Sequence, residues 1–220
     1  MTLNHHIFPA RSGQTRSLVV LLHGFGSSGA AMLGLAKTLS IALPDTSFLA
    51  PDGPDAAPGR PGGRMWFTIP ELGGSSATEA DLRLQASARQ LDAFLDDQLA
   101  AHSLPASALA LLGFSQGAGM AFEVAPRRRD QLAGVVAIAG RMKRKDTLAA
   151  EVRSKPPFLI LTGAEDSLLS ADEIAQTRTA LSHVGIPAMR IIMAGVGHDI
   201  TDDGLAATCD FLKSVLPKVT

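Results

Sequence analysis

The chain has 220 residues, 46% of them hydrophobic and 19% charged, with a formal net charge of −1 at pH 7. That length suits a single domain with a sizeable core, and the composition excludes a disordered or collagen-like chain. The balanced charge argues against nucleic acid as a partner, and the single cysteine, Cys209, excludes an intrachain disulfide.

Short, continuous apolar runs alternate with helical patterns along the chain. Leu3–Phe8 reads as an edge strand. The expected strands after it are Leu18–Leu22, Ser47–Ala50, Ala108–Leu112, Val135–Ala139, Phe158–Leu161 and Met189–Met193. Such runs suit strands covered on both faces. A helix is expected over Thr78–Ala101, with a capping box at Thr78 and Asp81 and an apolar stripe of Leu82, Leu91, Phe94, Leu95 and Leu99. Another runs from Ser170, boxed by Glu173, to about His183, and a last one from Asp203 to Leu216. This alternation predicts βαβ units, a mainly parallel sheet and one α/β domain over residues 1–220. The connection Pro51–Ser76 is unusually long, yet its Met65-Trp66-Phe67 cluster predicts an ordered loop.

The opening residues lack the regions of a signal peptide, and no apolar stretch is long enough to cross a bilayer. The expected compartment is cytoplasmic, with no integral membrane association. Cys209, within an apolar helical pattern, reads as a small hydrophobe. Neither a metal-ligand spacing nor a dinucleotide fingerprint is present, so no metal and no cofactor is expected.

Ligands of open α/β sheets bind beyond the carboxyl ends of the strands. Three reactive residues follow strands there in chain order: Ser115 in "GFSQG", Asp166 in "TGAEDSLLS" and His198 in "GVGHDI". A bare G-x-S-x-G is weak evidence, but a serine, an acid and a histidine in this order form a nucleophile, base and orienting acid. Gly113 and Gly117 would leave room for a sharp strand-to-helix turn, and Ala118, Gly119 and Ala121 for a helix close to the sheet. The amide of Gln116 would open that helix, where negative charge is favoured. Glu165 is the alternative acid. Asp199 adjoins His198 too closely in sequence to orient it, and His23 reads as structural.

Taken together, "LLHGFGSSG", "GGRMWFTI", "LLGFSQGAGMAF", "QLAGVVAIAGRM", "TGAEDSLLS" and "GVGHDI" resemble the phospholipase/carboxylesterase family of small α/β-hydrolases, from about Leu18 to Leu216. The resemblance implies an α/β-hydrolase fold with helices on both faces of the sheet and no large cap domain. It implies a serine carboxylesterase acting on small acyl esters, with thioesterase, lysophospholipase and acyltransferase activities as rivals. A catalytically silent ligand-binding protein is the alternative from another class. Ser115, Asp166 and His198 would be the triad, and the amides of Phe25 and Gln116 the oxyanion hole. Trp66, with Met65 and Phe67, would lie beside the acyl pocket, although a buried core role for Trp66 stays open. The acid loop departs from the family pattern at Thr162 and Ser167. Many family members form a homodimer, and no patch in this sequence requires one.

Two basic runs remain. Arg127-Arg128-Arg129 reads as a solvated helix end. Arg141-Met142-Lys143-Arg144-Lys145 follows a strand on the catalytic side, and its charges are expected to favour acidic substrates.

Overall fold

A computed structural model describes residues 3–72 and 75–217. Seven strands form one sheet: β1 (His5–Phe8), β2 (Ser17–Leu22), β3 (Thr46–Pro51), β6 (Leu109–Phe114), β7 (Gly134–Ile138), β8 (Phe158–Gly163) and β9 (Ala188–Met193). Two short strands inside the long loop, β4 (Asp55–Ala56) and β5 (Arg64–Met65), pair with each other. The main order is β1-β3-β2-β6-β7-β8-β9. Only β1, on the edge, runs antiparallel to its neighbour. The strands expected from sequence all appear, with ends shifted by one or two residues.

Alternation along the buried strands divides the core in two. Leu18, Val20 and Leu22 of β2 face one cluster, which contains Leu91, Phe94 and Leu95 of α2 (Ala77–His102) and Met120, Ala121 and Phe122 of α3 (Gln116–Val124). Val19 and Leu21 face the other, which contains Met32, Ala36 and Leu39 of α1 (Gly29–Ala42) and Leu212 of α6 (Asp202–Val215). Successive strand side chains point to opposite faces, so apolar strands need helices on both. Two further helices, α4 (Leu148–Glu151) and α5 (Ala171–His183), complete the layers.

Several local expectations change. The helix α1 carries no expectation from sequence. Its run of small and apolar residues lacks a clear polar face, and Ser28 starts it by accepting from the amide of Ala31. The capping box of α2 is Ser76 with Glu79, one pair ahead of the expected Thr78 and Asp81. Leu84, seven residues before Leu91, lies on its buried stripe, whereas Leu82, expected on that stripe, lies on the opposite side of the helix and is 60% exposed. The box at Ser170 and Glu173 appears as expected.

The basic run after α3 is not a solvated end. Arg128 is buried and pairs with Asp92 and Asp96 of α2. Arg127 reaches Glu123 at 3.1 Å and Glu151 at 2.6 Å. Of the three, only Arg129 is exposed. Cys209 is half-buried against the α6 core, where burial raises its thiol pKa. Among the described residues, no helix is long and apolar enough to cross a membrane.

Candidate active site

Ser115 stands between β6 and α3, at the position where a serine ordinarily caps the helix. Here its side chain makes no cap, and its backbone sits at φ 52°, ψ −113°. A non-glycine residue at positive φ is strained, and such strain concentrates at functional sites. The surroundings enforce it. Ser115 donates its amide to Ile138 at 2.8 Å, and its carbonyl accepts from Gly119 at 3.1 Å. A Cβ on Gly113 would lie 2.3 Å from the Gly117 carbonyl oxygen, and one on Gly117 would lie 2.1 Å from that of Leu22. Both glycines therefore permit the close backbone approach that holds the turn. Gly119 does not, because a Cβ there would find its nearest atom at 3.6 Å. Gly140 is the tighter position, with Ala118 Cβ at 2.4 Å.

The hydroxyl freed from capping meets His198. Nε2 of His198 lies 2.8 Å from Ser115 Oγ, and Nδ1 lies 2.8 Å from Asp166 Oδ2. An ionised Asp166 accepts only, so Nδ1 carries the proton and Nε2 is left to accept from the serine. Asp166 Oδ1 accepts from the amide of Leu168 at 2.9 Å, and its side chain is only 2% exposed. Phe114 packs edge-on against the imidazole at 5.3 Å. The loops that carry Asp166 and His198 touch at Gly163, where a Cβ would lie 2.1 Å from the Gly197 carbonyl oxygen. Glu165 and Asp199 are exposed, and neither contacts the imidazole. At the departures from the family pattern, Thr162 is buried and accepts from Arg190, while Ser167 is exposed at the cavity rim.

The segment His23–Ser27 lies across from Ser115. A Cβ on Gly24 would come within 3.3 Å of Ser115 Cβ, so this backbone abuts the hydroxyl's own carbon. Gly26 has φ +76° and donates to the Arg64 carbonyl at 2.9 Å, and Arg64 donates to Ser27 at 2.7 Å. The β4–β5 hairpin thereby pins the segment. His23 is fully buried, and burial lowers its pKa.

A cavity of about 680 Å³ opens above Ser115 and His198. Phe25 and Gln116 line it, as does Phe67 from the long loop. Ile69, Leu72, Leu168 and Leu169 supply an apolar rim. Trp66 and Met65 are not among the lining residues. Trp66 is completely buried beneath the cavity wall, with its indole Nε1–H donated to the His23 carbonyl at 3.0 Å. Its role beside a pocket is corrected accordingly, since both its ring and its donor face inward. The basic run after β7 splits in the same way. Arg141 and Lys143 line the cavity, whereas Arg144 turns inward to Glu123 at 2.6 Å and Glu151 at 3.0 Å, and Lys145 does not line it. Arg141 is held by Glu173 at 2.8 Å and the Leu168 carbonyl at 3.0 Å. Ala139, at φ 49°, also lines the cavity. A positive φ at an alanine had no sequence signal beyond the glycine after it. No cluster of three or more His, Cys, Asp or Glu that could hold a metal occurs among the described residues.

Comparisons with known proteins bear on the family and the fold. A phospholipase/carboxylesterase family model matches residues 4–216. The crystal structure of esterase PE8 superposes with a TM-score of 0.92 at 35% identity, covering 98% of this chain and 100% of that one. Acyl-protein thioesterase 1 of Debaryomyces hansenii is 25% identical, over 95% of each chain. Esterase YpfH of Escherichia coli is 24% identical, over 99% of this chain and 91% of its own. The chain therefore belongs to the phospholipase/carboxylesterase family and is a carboxylic ester hydrolase of the α/β-hydrolase fold.

Proposed function

We propose that the enzyme cleaves small carboxylic esters through an acyl-enzyme on Ser115. The supporting observation is the unbroken Ser115–His198–Asp166 chain of two 2.8 Å hydrogen bonds at the floor of a partly apolar cavity. Ser115 Oγ attacks the ester carbonyl carbon while its proton passes to His198 Nε2. The charge on the carbonyl oxygen is received by the backbone N–H groups of Phe25 and Gln116, the latter at the start of α3. His198 then gives its proton to the departing alcohol. A water that loses a proton to His198 attacks the acyl-enzyme, releasing the acid and restoring Ser115. Throughout, Asp166 keeps the Nδ1 proton in place and stabilises the imidazolium.

Phe67 and the apolar rim are the surfaces we assign to the acyl chain. Relatives named thioesterase make a thioester the second substrate to test, because the same steps expel a thiolate. Turnover of a short-chain nitrophenyl ester and of acyl thioesters of graded length, with Ser115→Ala beside wild type, tests the reading. Ser115→Ala is expected to lose at least about 10⁴-fold in kcat. A variant that keeps wild-type turnover would refute the role of Ser115.

A further inference from the structure

Trp66 is the only tryptophan, and it is completely buried one layer below the catalytic cavity. Its polar groups connect the two segments that carry the proposed oxyanion donors. On one side, its indole Nε1–H reaches the carbonyl of His23 at 3.0 Å, and the two rings lie 5.3 Å apart. On the other, its backbone N–H donates to Gln116 Oε1 at 2.8 Å, and Gln116 Nε2 donates to the Phe67 carbonyl at 2.7 Å. The Trp66 carbonyl accepts from the Ser87 hydroxyl of α2.

His23 extends this circuit to the donor itself. Nε2 of His23 receives the amide proton of Gly53 at 2.9 Å, so that nitrogen is unprotonated. The ring proton is therefore on Nδ1, which donates to the Gly24 carbonyl at 2.7 Å. The same carbonyl accepts from Ser27 at 3.2 Å. A trans peptide is planar, with C=O and N–H pointing in opposite directions. Fixing the Gly24 carbonyl thus aims the Phe25 N–H, which belongs to the same peptide unit. Gln116 has a parallel position, because its side chain is tied to Trp66 and Phe67 while its amide opens α3.

We propose that Trp66, acting with the side chains of His23 and Gln116, is a positioning strut that sets the separation and aim of the two oxyanion donors. The proposal rests on the assignment of the Phe25 and Gln116 amides made above. None of the three side chains need touch the substrate to do this. Preorganised donors act on the charge of the transition state and not on the ground-state ester, so a misplaced donor lowers kcat and leaves KM in place.

The test measures three quantities on wild type, Trp66→Phe and Gln116→Met: kcat and KM for a neutral nitrophenyl ester, and KI for a trifluoromethyl ketone of matching chain length. Ser115 adds to the ketone carbonyl carbon, its proton goes to His198, and the former carbonyl oxygen becomes the oxyanion. We expect kcat to fall at least about tenfold, KI to rise by a similar factor and KM to stay within about twofold. Thermal melting followed by circular dichroism identifies any variant that does not fold. Ser87→Ala, which removes one hydroxyl from the circuit, then gives the same split at smaller size. Increased KM with kcat and KI unchanged would overturn the proposal, making the circuit a pocket wall only. So would wild-type values of kcat and KI in folded variants. Failure of the underlying reading looks different, since Ser115→Ala would then retain activity.

Discussion

Ser115 gives up a helix cap in order to face His198. A serine at an N-cap normally stabilises its helix by about 1 kcal/mol through a side-chain bond to the first turn. Here the hydroxyl is turned toward the imidazole, and the first turn of α3 keeps its free N–H groups near the cavity. The hydrogen-bonded Ser115, His198 and Asp166 were legible in sequence because each follows a strand end, and Ser115 also lies between Gly113 and Gly117, where a Cβ would collide with backbone. Asp166 was the acid expected from sequence and Glu165 the alternative, since both occupy the same loop. Geometry separates them: Asp166 Oδ2 lies 2.8 Å from His198, while Glu165 is exposed. Asp166→Asn is expected to lower kcat by about 10²–10⁴-fold, because the imidazole loses the partner that fixes its tautomer. Glu165→Gln is expected to stay within about twofold, as a surface change. Steady-state kinetics of the two variants decides it, and the reverse ranking would move the acid to Glu165. For Trp66 the choice between pocket and core stayed open in sequence for a different reason. An aromatic in an apolar cluster does not reveal from sequence whether its N–H points to a cavity or to a buried carbonyl.

At the scale of elements, the segment between β7 and α4 does two jobs with one run of charges. Arg141 and Lys143 line the cavity, while Arg144 is drawn into a buried carboxylate group. Burial and the neighbouring Arg141 lower the pKa of Lys143, a cation short of counter-charge even with Glu71 and Glu173 nearby. Neutralising Arg141 and Lys143 together is expected to raise KM several-fold more for an ester bearing a carboxylate than for a neutral ester of the same length. Equal changes for the two esters would show that these charges do not select substrate. Composition identified the run as basic, but strand-end geometry decides which side chains face outward. The start of α2 teaches the same point. Thr78 and Asp81 satisfy the spacing of a capping box, yet Ser76 and Glu79 form it, because the helix already begins at Ala77. By contrast, the strand runs were legible because a sheet covered on both faces demands unbroken apolar stretches.

Across the whole molecule, the sheet is covered by two apolar cores, and an ionic group links α2, α3 and α4 on one face. Glu123 on α3 meets Arg127 and Arg144, Glu151 on α4 meets the same two arginines, and Arg144 also meets Asp81 on α2 at 3.2 Å. The two glutamates shift in opposite directions. Burial pushes Glu123 up, and its arginine partners only partly offset this. Burial also pulls Glu151 upward, but hydrogen bonds from Thr147 and Arg127 and the charges of Arg127 and Arg144 outweigh it and hold Glu151 down to about 2. A carboxylate with a depressed folded pKa adds stability above its unfolded pKa and loses it as pH falls through the folded value. The Glu151 contribution is therefore present above its ordinary value of 4.5 and fades as pH falls to about 2. Urea unfolding across that window is expected to show a flatter acid loss for Glu151→Gln than for wild type. An unchanged slope would remove Glu151 from the account. No sequence pattern announced this group, because its members lie up to 70 residues apart, from Asp81 to Glu151, and meet only once the sheet has formed.

The central claim is that one serine, held at positive φ and bonded to His198, is the nucleophile. Reaction with a fluorophosphonate, followed by mass-spectrometric mapping of the adduct, tests it most directly. The expected result is a single adduct on Ser115, with labelling abolished in Ser115→Ala. An absence of labelling in the folded enzyme, or an adduct on another serine, would contradict it.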